Sequence, residues 1–226
     1  TWPAPGGLRN LRERLLAAQK PLVIAGGPLW SAESARALQR FAESWQLPVG
    51  CGFRFQDTFD NRHPQYAGDV GIGINPKLAA RVREADLILA IGVRLGEMTT
   101  GGYEHLAVPR PKQTLVHLHP GAEELGRVYA ADLMLQCSLS HAGQALETLA
   151  APAQVPWAAW TAAARADYEA NQIAAAVEPL DMAQLVKTTN RLVPENTVYT
   201  NGAGNFSAWL HRFTPYLALH LHGRTQ

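Results

Sequence analysis

The run Asp86-Leu-Ile-Leu-Ala-Ile91, closed by Gly92, constrains this chain more than any other stretch. Consecutive apolar residues without polar alternation fit a strand buried on both faces, which places it in the middle of a parallel sheet. Ligand sites in open parallel sheets lie beyond the carboxyl ends of the strands. Gly92, Arg94 and the Gly- and Thr-rich stretch up to Gly102 fall at that position. The expectation is a loop that faces, or once faced, a nucleotide-like ligand.

The flanking sequence supplies the rest of such a sheet. Leu8, Leu11, Leu15 and Leu16 share one face of a helix over Leu8 to Gln19. Pro21 precedes a short buried strand, Leu22 to Ala25, and Gly26-Gly27 follow. Ser31 is placed to cap a helix bearing Ala35, Leu38, Phe41, Ala42 and Trp45, and Pro48 to Phe53 reads as a second strand. This β-α-β order implies parallel strands and a right-handed crossover. Arg54 to Ile74 has little periodicity; its Asp57, Asp60 and His63 read as turn residues. Asn75-Pro76 starts a short helix through Arg83. Thr114 to His119 is a further strand, Glu123 to Val128 a short helix, and Asp132 to Leu135 an edge strand. Ser140 is expected to cap a helix carrying Ala142, Ala145, Leu146 and Leu149.

At Ala151-Pro-Ala-Gln-Val-Pro156 the composition becomes that of a linker, giving residues 1–150, 151–156 and 157–226 as domain, linker and second unit. Beyond it Trp157, Trp160, Ala164 and Tyr168 mark one helix, and Asp181 caps another that carries Leu185 and Val186. Thr197 to Thr200 reads as a strand, Asn201 to Asn205 as a Gly-rich loop and Phe206 to Phe213 as a helix. No second strand completes this unit, so it reads as truncated.

Composition excludes several classes. A net charge of +1 gives no reason to expect nucleic acid or an anionic membrane. No apolar run approaches the roughly 18 residues of a membrane span. Cys51 and Cys137 are far apart and lack zinc-site spacing. His117 and His119 point to one face of their strand, but no third metal ligand is evident. No Ser-His-Asp or Cys-His constellation can be argued from spacing. The opening Thr-Trp-Pro-Ala-Pro-Gly-Gly has no signal pattern, and the chain reads as a piece of a longer cytoplasmic protein.

Several motifs in order resemble the thiamine-diphosphate-dependent enzymes of the acetolactate synthase and pyruvate oxidase type. They are Pro21-Leu-Val-Ile-Ala-Gly-Gly27, Leu47-Pro-Val49, Tyr66-Ala-Gly68 with Gly71, Ala85 to Leu95 through Thr100-Gly101, Val116-His-Leu118 and Glu124-Leu-Gly126. The resemblance implies an α/β fold. It would be a three-layer α/β/α middle domain on a six-stranded parallel Rossmann-like sheet, followed by a truncated α/β start of the thiamine-diphosphate-binding domain. The parent would be a lyase or transferase that uses thiamine diphosphate and Mg2+ on small 2-keto acids, as a dimer or tetramer. The rest of the parent chain would be this piece's partner.

The resemblance also implies site positions. Ala203, Gly204, Asn205 and Phe206 match the loop over the thiamine diphosphate phosphates, although Phe206 cannot donate a hydrogen bond. Gly26, Gly27, Gly52, Phe53, Gly92 and Arg94 would line the crevice that holds FAD in flavin-using members. Gly96, His119 and Ser138 stand where those members often carry acids, which argues against FAD. The bland reading is that the glycines turn the chain, Arg94 pairs with a carboxylate such as Glu97, and the crevice is structural. The fragment would then hold no catalytic group, no metal ligands and no bound cofactor. Two alternatives stand beside it: a standalone FAD- or NAD-binding module, and a sirtuin-like deacylase. The absence of paired Cys-x-x-Cys motifs counts against the latter.

Overall fold

The computed structural model describes residues 1–202 and 204–217. Helix α1 (Pro5–Ala17) leads into β1 (Pro21–Ala25), α2 (Ala32–Ser44) and β2 (Val49–Gly52). A 3-10 turn (Gln56–Thr58) precedes β3 (Tyr66–Val70), α3 (Pro76–Glu84), β4 (Leu87–Ile91) and the short α4 (Glu97–Thr100). Then come β5 (Thr114–His119), β6 (Leu133–Gln136), α5 (Leu139–Glu147), α6 (Ala158–Asn171), α7 (Met182–Leu192) and α8 (Ser207–Phe213).

The six strands form one sheet in the order β3-β2-β1-β4-β5-β6, with every neighbouring pair parallel. β4 lies beside β1 in full register, Pro21 opposite Leu87 through Ala25 opposite Ile91. Alternation along the strands feeds two cores. Val23, Ala25, Leu89 and Ile91 face α1, α2 and α5, where Leu15, Leu38, Phe41 and Leu146 are buried. Leu22, Ile24, Ile88 and Ala90 face the α3 side, with Leu78 and Val82. Helices on both faces make this the three-layer α/β/α arrangement. Contact between α2 and α5 is close enough that a Cβ on Gly143 would collide with the Ser34 carbonyl, and Gly143 N–H donates to Ser34 Oγ at 2.8 Å.

Helix α6 runs across the starts of β1, β2 and β3. Trp157 is buried and its Nε1 donates to Trp45 O at 2.9 Å; Trp160 Nε1 donates to Pro21 O at 3.0 Å. Thr161 Oγ1 reaches Gln46 O at 2.6 Å, and Tyr168 meets Tyr66 edge-on, with ring centres 4.9 Å apart.

Four local expectations are corrected. Arg54 to Ile74 contains the edge strand β3, which Gly68 at φ +125° and a register shift opposite Val49 and Gly50 deprive of any periodic signal. Glu123 to Val128 is a run of turns and bends rather than a helix. Helix α5 starts at Leu139, one residue before the expected cap, and the Ser140 hydroxyl lies 3.0 Å from His141 Nδ1. Thr197 to Thr200 forms no strand: among the described residues no neighbouring strand offers it a ladder, and the Tyr199 hydroxyl donates instead to Asn190 Oδ1 at 2.7 Å. Other starts agree with expectation. The side chains of Ser31, Asn75 and Asp181 accept from Ser34, Lys77 and Gln184 N–H at their helix N-termini.

Candidate functional site

The strand order reverses between β1 and β4, and a crevice at such a switch point is where open α/β sheets bind ligands. The two loops meet there backbone to backbone. Gly26 N–H donates to Ile91 O at 3.0 Å, and Gly92 N–H donates to Leu118 O at 2.8 Å. Gly27 and Gly92 have φ of +87° and +71°. A Cβ on Gly27 would strike the Gly92 carbonyl, and one on Gly92 the Gly26 carbonyl. These glycines are therefore required by the approach of the two loops, whatever lies above them.

Above them is a cavity of about 650 Å³, within the range of small-molecule sites. Pro28, Phe53, Phe55, Val93 and Met98 give it apolar walls, and Arg94 and His119 give it polar groups. Gly27 and Gly92 line it, whereas Gly26 lies beneath, against Val93 and Phe55. Three strained residues lie in or next to its lining: Tyr103 within it, Leu29 beside Pro28 and Arg54 between Phe53 and Phe55. Leu29, Arg54 and Tyr103 follow β1, β2 and α4 with φ of +71°, +64° and +69°. Non-glycine residues in that region carry a steric cost and cluster at functional sites.

Arg94 pairs with Glu124 rather than with Glu97: Nε lies 3.3 Å from Glu124 Oε1. Arg127 Nη1 donates to the same oxygen at 2.7 Å. Both arginine heads are exposed, and the Glu124 side chain is only 7% exposed. Arg94 also borders a smaller cavity of about 210 Å³, which reaches His117, Arg127 and Tyr129. Burial lowers the His117 pKa, so the ring is neutral at pH 7 with its Nε2–H donating to Val93 O at 3.0 Å. His119 Nδ1 accepts from Gly121 N–H at 3.1 Å. The two imidazoles lie 5.7 Å apart, and no group of three metal-ligating side chains occurs among the described residues.

At Gly96 an added Cβ would meet nothing within 4 Å. The space for an acid is present there and only the side chain is missing. For FAD, the cavity fits in volume and the donor set does not fit in chemistry.

The second predicted site lies elsewhere. Ala203 is outside the described residues; Gly204, Asn205 and Phe206 are exposed ahead of α8. Helix α8 meets the sheet near the ends of β2 and β3, where Ala208 approaches Gly73 and His211 meets Phe53 edge-on at 5.6 Å. The described part of this loop forms no buried cradle, so it does not fit thiamine diphosphate by itself. Sequence reasoning missed Glu124 as the partner of Arg94, although Glu124-Leu-Gly126 was a visible motif. It also missed Asp69, a lone acid in an unrecognised strand.

Residues 8–149 match the family described as thiamine pyrophosphate enzyme, central domain. The large subunit of acetolactate synthase isozyme 2 from Escherichia coli K12 is 26% identical over 133 residues, 59% of this chain and 24% of the relative. The 3D-(3,5/4)-trihydroxycyclohexane-1,2-dione hydrolase 2 from Bacillus cereus ZK / E33L is 35% identical over 100 residues, 43% of this chain and 15% of the relative. The chain thus spans a quarter or less of each of these relatives. With its parallel six-stranded sheet and its crevice between β1 and β4, the chain belongs to the thiamine pyrophosphate enzymes, and residues 8–149 are a central domain of that family.

Proposed function

We propose that this chain is the central domain, with the start of the next domain, of an enzyme that uses thiamine diphosphate and Mg2+ on 2-keto acids in the cytoplasm. Its reaction would be decarboxylation or carboligation, as the name of the acetolactate synthase relative suggests. The observation that carries the proposal is the complete six-stranded parallel sheet over the stretch that matches the central domain of the family. Its work is then scaffolding, subunit packing and shaping of the crevice. Gly26, Gly27, Gly92 and Arg94 form that crevice, and Ala203, Gly204, Asn205 and Phe206 approach the diphosphate once the remaining domains and a second subunit complete the site. When bound, thiamine diphosphate supplies a carbanion-stabilising ylid. The residues of this chain would position and pack.

Calorimetry of the chain with thiamine diphosphate and Mg2+ tests this reading. No heat of binding is expected from the chain alone, whereas binding is expected once the chain is joined to the remainder of its reading frame. Tight binding by the isolated chain would overturn the scaffold reading.

The volume of the cavity, about 650 Å³ with the strained Tyr103 in its lining, favours one second reading, a standalone FAD- or NAD-binding module, against which the missing acids at Gly96, His119 and Ser138 count. Flavin absorbance in the purified protein, or saturable binding of NAD, would select it over the first.

A further inference from the structure

Away from the crevice, among the described residues, three buried side-chain atoms lack a hydrogen-bond partner: Gln56 Nε2, Asp69 Oδ1 and Gln144 Oε1. Such atoms are rare, and each asks for a physical reason. Two of them belong to one cluster. Asp69, on β3, is half-buried as a residue, but its Oδ1 is sealed from water and unpartnered. Burial pushes its carboxyl pKa up to about 7; the Gln56 amide lies close enough to pull it down, but not in hydrogen-bond geometry with Oδ1. Cys51 on β2, Tyr66 on β3 itself and Tyr216 after α8 are near enough to share its field. Tyr168 on α6 backs Tyr66. Burial raises the pKa of all four of these groups and keeps them protonated at neutral pH, with Tyr168 and Tyr216 pushed up to about 12. The charged or titrating side chains nearby are His211 and Arg212 of α8, which with Asp69 border a cavity of about 30 Å³, room for a single water.

The lid over this cluster is the last described stretch of chain. Tyr216 N–H donates to Asn61 Oδ1 and Asn61 N–H to Tyr216 O, each at 3.0 Å. Arg212 Nε donates to Asn171 O at 2.8 Å, and His211 rests edge-on against Phe53. On α8 only Phe213 is buried. A helix with so little buried surface opens locally at low free energy.

We propose that residues 207–216 form a pH-dependent cover over Asp69, closed while that carboxyl carries a proton and loosened when it ionises. With the cover open, water reaches the carboxyl and its pKa returns toward the ordinary 3.8. The closed form is then favoured in full below about pH 4. It loses ground as pH rises through the interval to about 7, by up to about tenfold in the closing constant per pH unit, and is level above that. His211 works in the other direction. Burial, with Arg54 adding to it, depresses its pKa, so its protonation below its ordinary 6.5 favours opening. The two limbs oppose each other and are separated by substitution.

Hydrogen exchange of the 207–213 amides, corrected for the intrinsic pH dependence of exchange, reads the opening. In the His211→Gln chain the opening constant is expected to rise by up to about tenfold per pH unit between about pH 4 and 7 and then level off. In the Asp69→Asn, His211→Gln chain that rise should vanish, leaving the cover closed throughout. A rise that survives Asp69→Asn, or no rise with Asp69 present, overturns the proposal. Should Asp69→Asn prevent folding, the carboxyl carbon shift of Asp69 in the His211→Gln chain decides: a midpoint near 7 supports the cover, and an ordinary carboxylate midpoint sinks it.

Discussion

The sheet with its helices through α6 and the segment from Gln172 to Leu217 are built from similarly apolar sequence, yet they bury it to different degrees. In the first region Trp45, Trp157, Phe41 and Leu38 are sealed, and each tryptophan indole N–H finds a carbonyl. In the second, the core is Ala183, Val186 and Phe213, while Ile173, Leu180, Leu192 and Val198 lie open to solvent. Helix α7 is as amphipathic as α2 in its sequence but seals only two residues where α2 seals six. Amphipathic patterning states that a face is to be covered; it does not state by what. On the proposed function, the remaining domains of the parent and a second subunit cover the second face.

The sharpest way to break this contrast is Trp157→Ala. Trp157 lies at the start of α6, beyond the linker-like stretch, but its side chain belongs to the core of the sheet. Removing a fully buried tryptophan costs about 4 kcal/mol, and here it also leaves the Trp45 carbonyl without its donor. Urea unfolding should show that loss in a single transition shared by the sheet and α6. A loss under about 1 kcal/mol would mean that α6 sits apart from the sheet, as a boundary at the linker alone would suggest.

The next largest effect is expected at the rim of the crevice. Glu124 is buried and shared by two exposed arginines. Removing one arginine leaves the other in place, so Arg94→Ala should change stability by less than about 1 kcal/mol. Removing both strands the carboxylate. Breaking a buried pair costs about 3 kcal/mol or more, reduced here to about 2 kcal/mol because both partners reach solvent. Denaturant midpoints of the two single variants and the double variant measure this directly. Additive behaviour would show that Glu124 does not depend on either arginine.

How much of this was legible depended on whether a signal was local. Leu87 to Ile91 announced a central strand because burial on both faces removes every polar residue from the run. The caps at Ser31, Asn75 and Asp181 were legible because a side chain and the N–H it accepts from lie within three residues of each other. Strand β3 was not legible: Tyr-Ala-Gly-Asp-Val has a flexible residue at its centre and a polar one in its buried half. Thr197 to Thr200 misled for the opposite reason. It has β-branched residues but no partner strand among the described residues, and strand propensity is mostly a measure of fit to neighbours. At the site, the glycines were legible as a type of loop, whereas the pairing of Arg94 with Glu124 joins β4 to a turn after β5 and leaves no spacing to read.

A smaller effect tests whether the crevice lacks only chemistry. Gly96 has φ of −99° and open space around an added Cβ, so Gly96→Asp should fold normally. If the missing acid is what disfavours a ribose-bearing ligand, the new carboxylate supplies a charged hydrogen bond worth about 1.5 kcal/mol, roughly tenfold in affinity for FAD by calorimetry. Unchanged affinity would place the obstacle in the walls of the cavity instead.

The smallest effect closes the comparison. Leu192, at the end of α7, is 80% exposed, so in the chain by itself Leu192→Ala should change stability by no more than about 0.5 kcal/mol. That near-silence is informative only beside a second measurement. Where the chain is joined to the rest of its reading frame and the face is covered, the same truncation removes buried apolar surface, and the cost should rise to about 2 kcal/mol or more. An exposed leucine that stays silent in both settings would be ordinary surface. The apolar residues of the second region would then need no partner, and the difference between the two regions would lie in how much of a like composition each one buries.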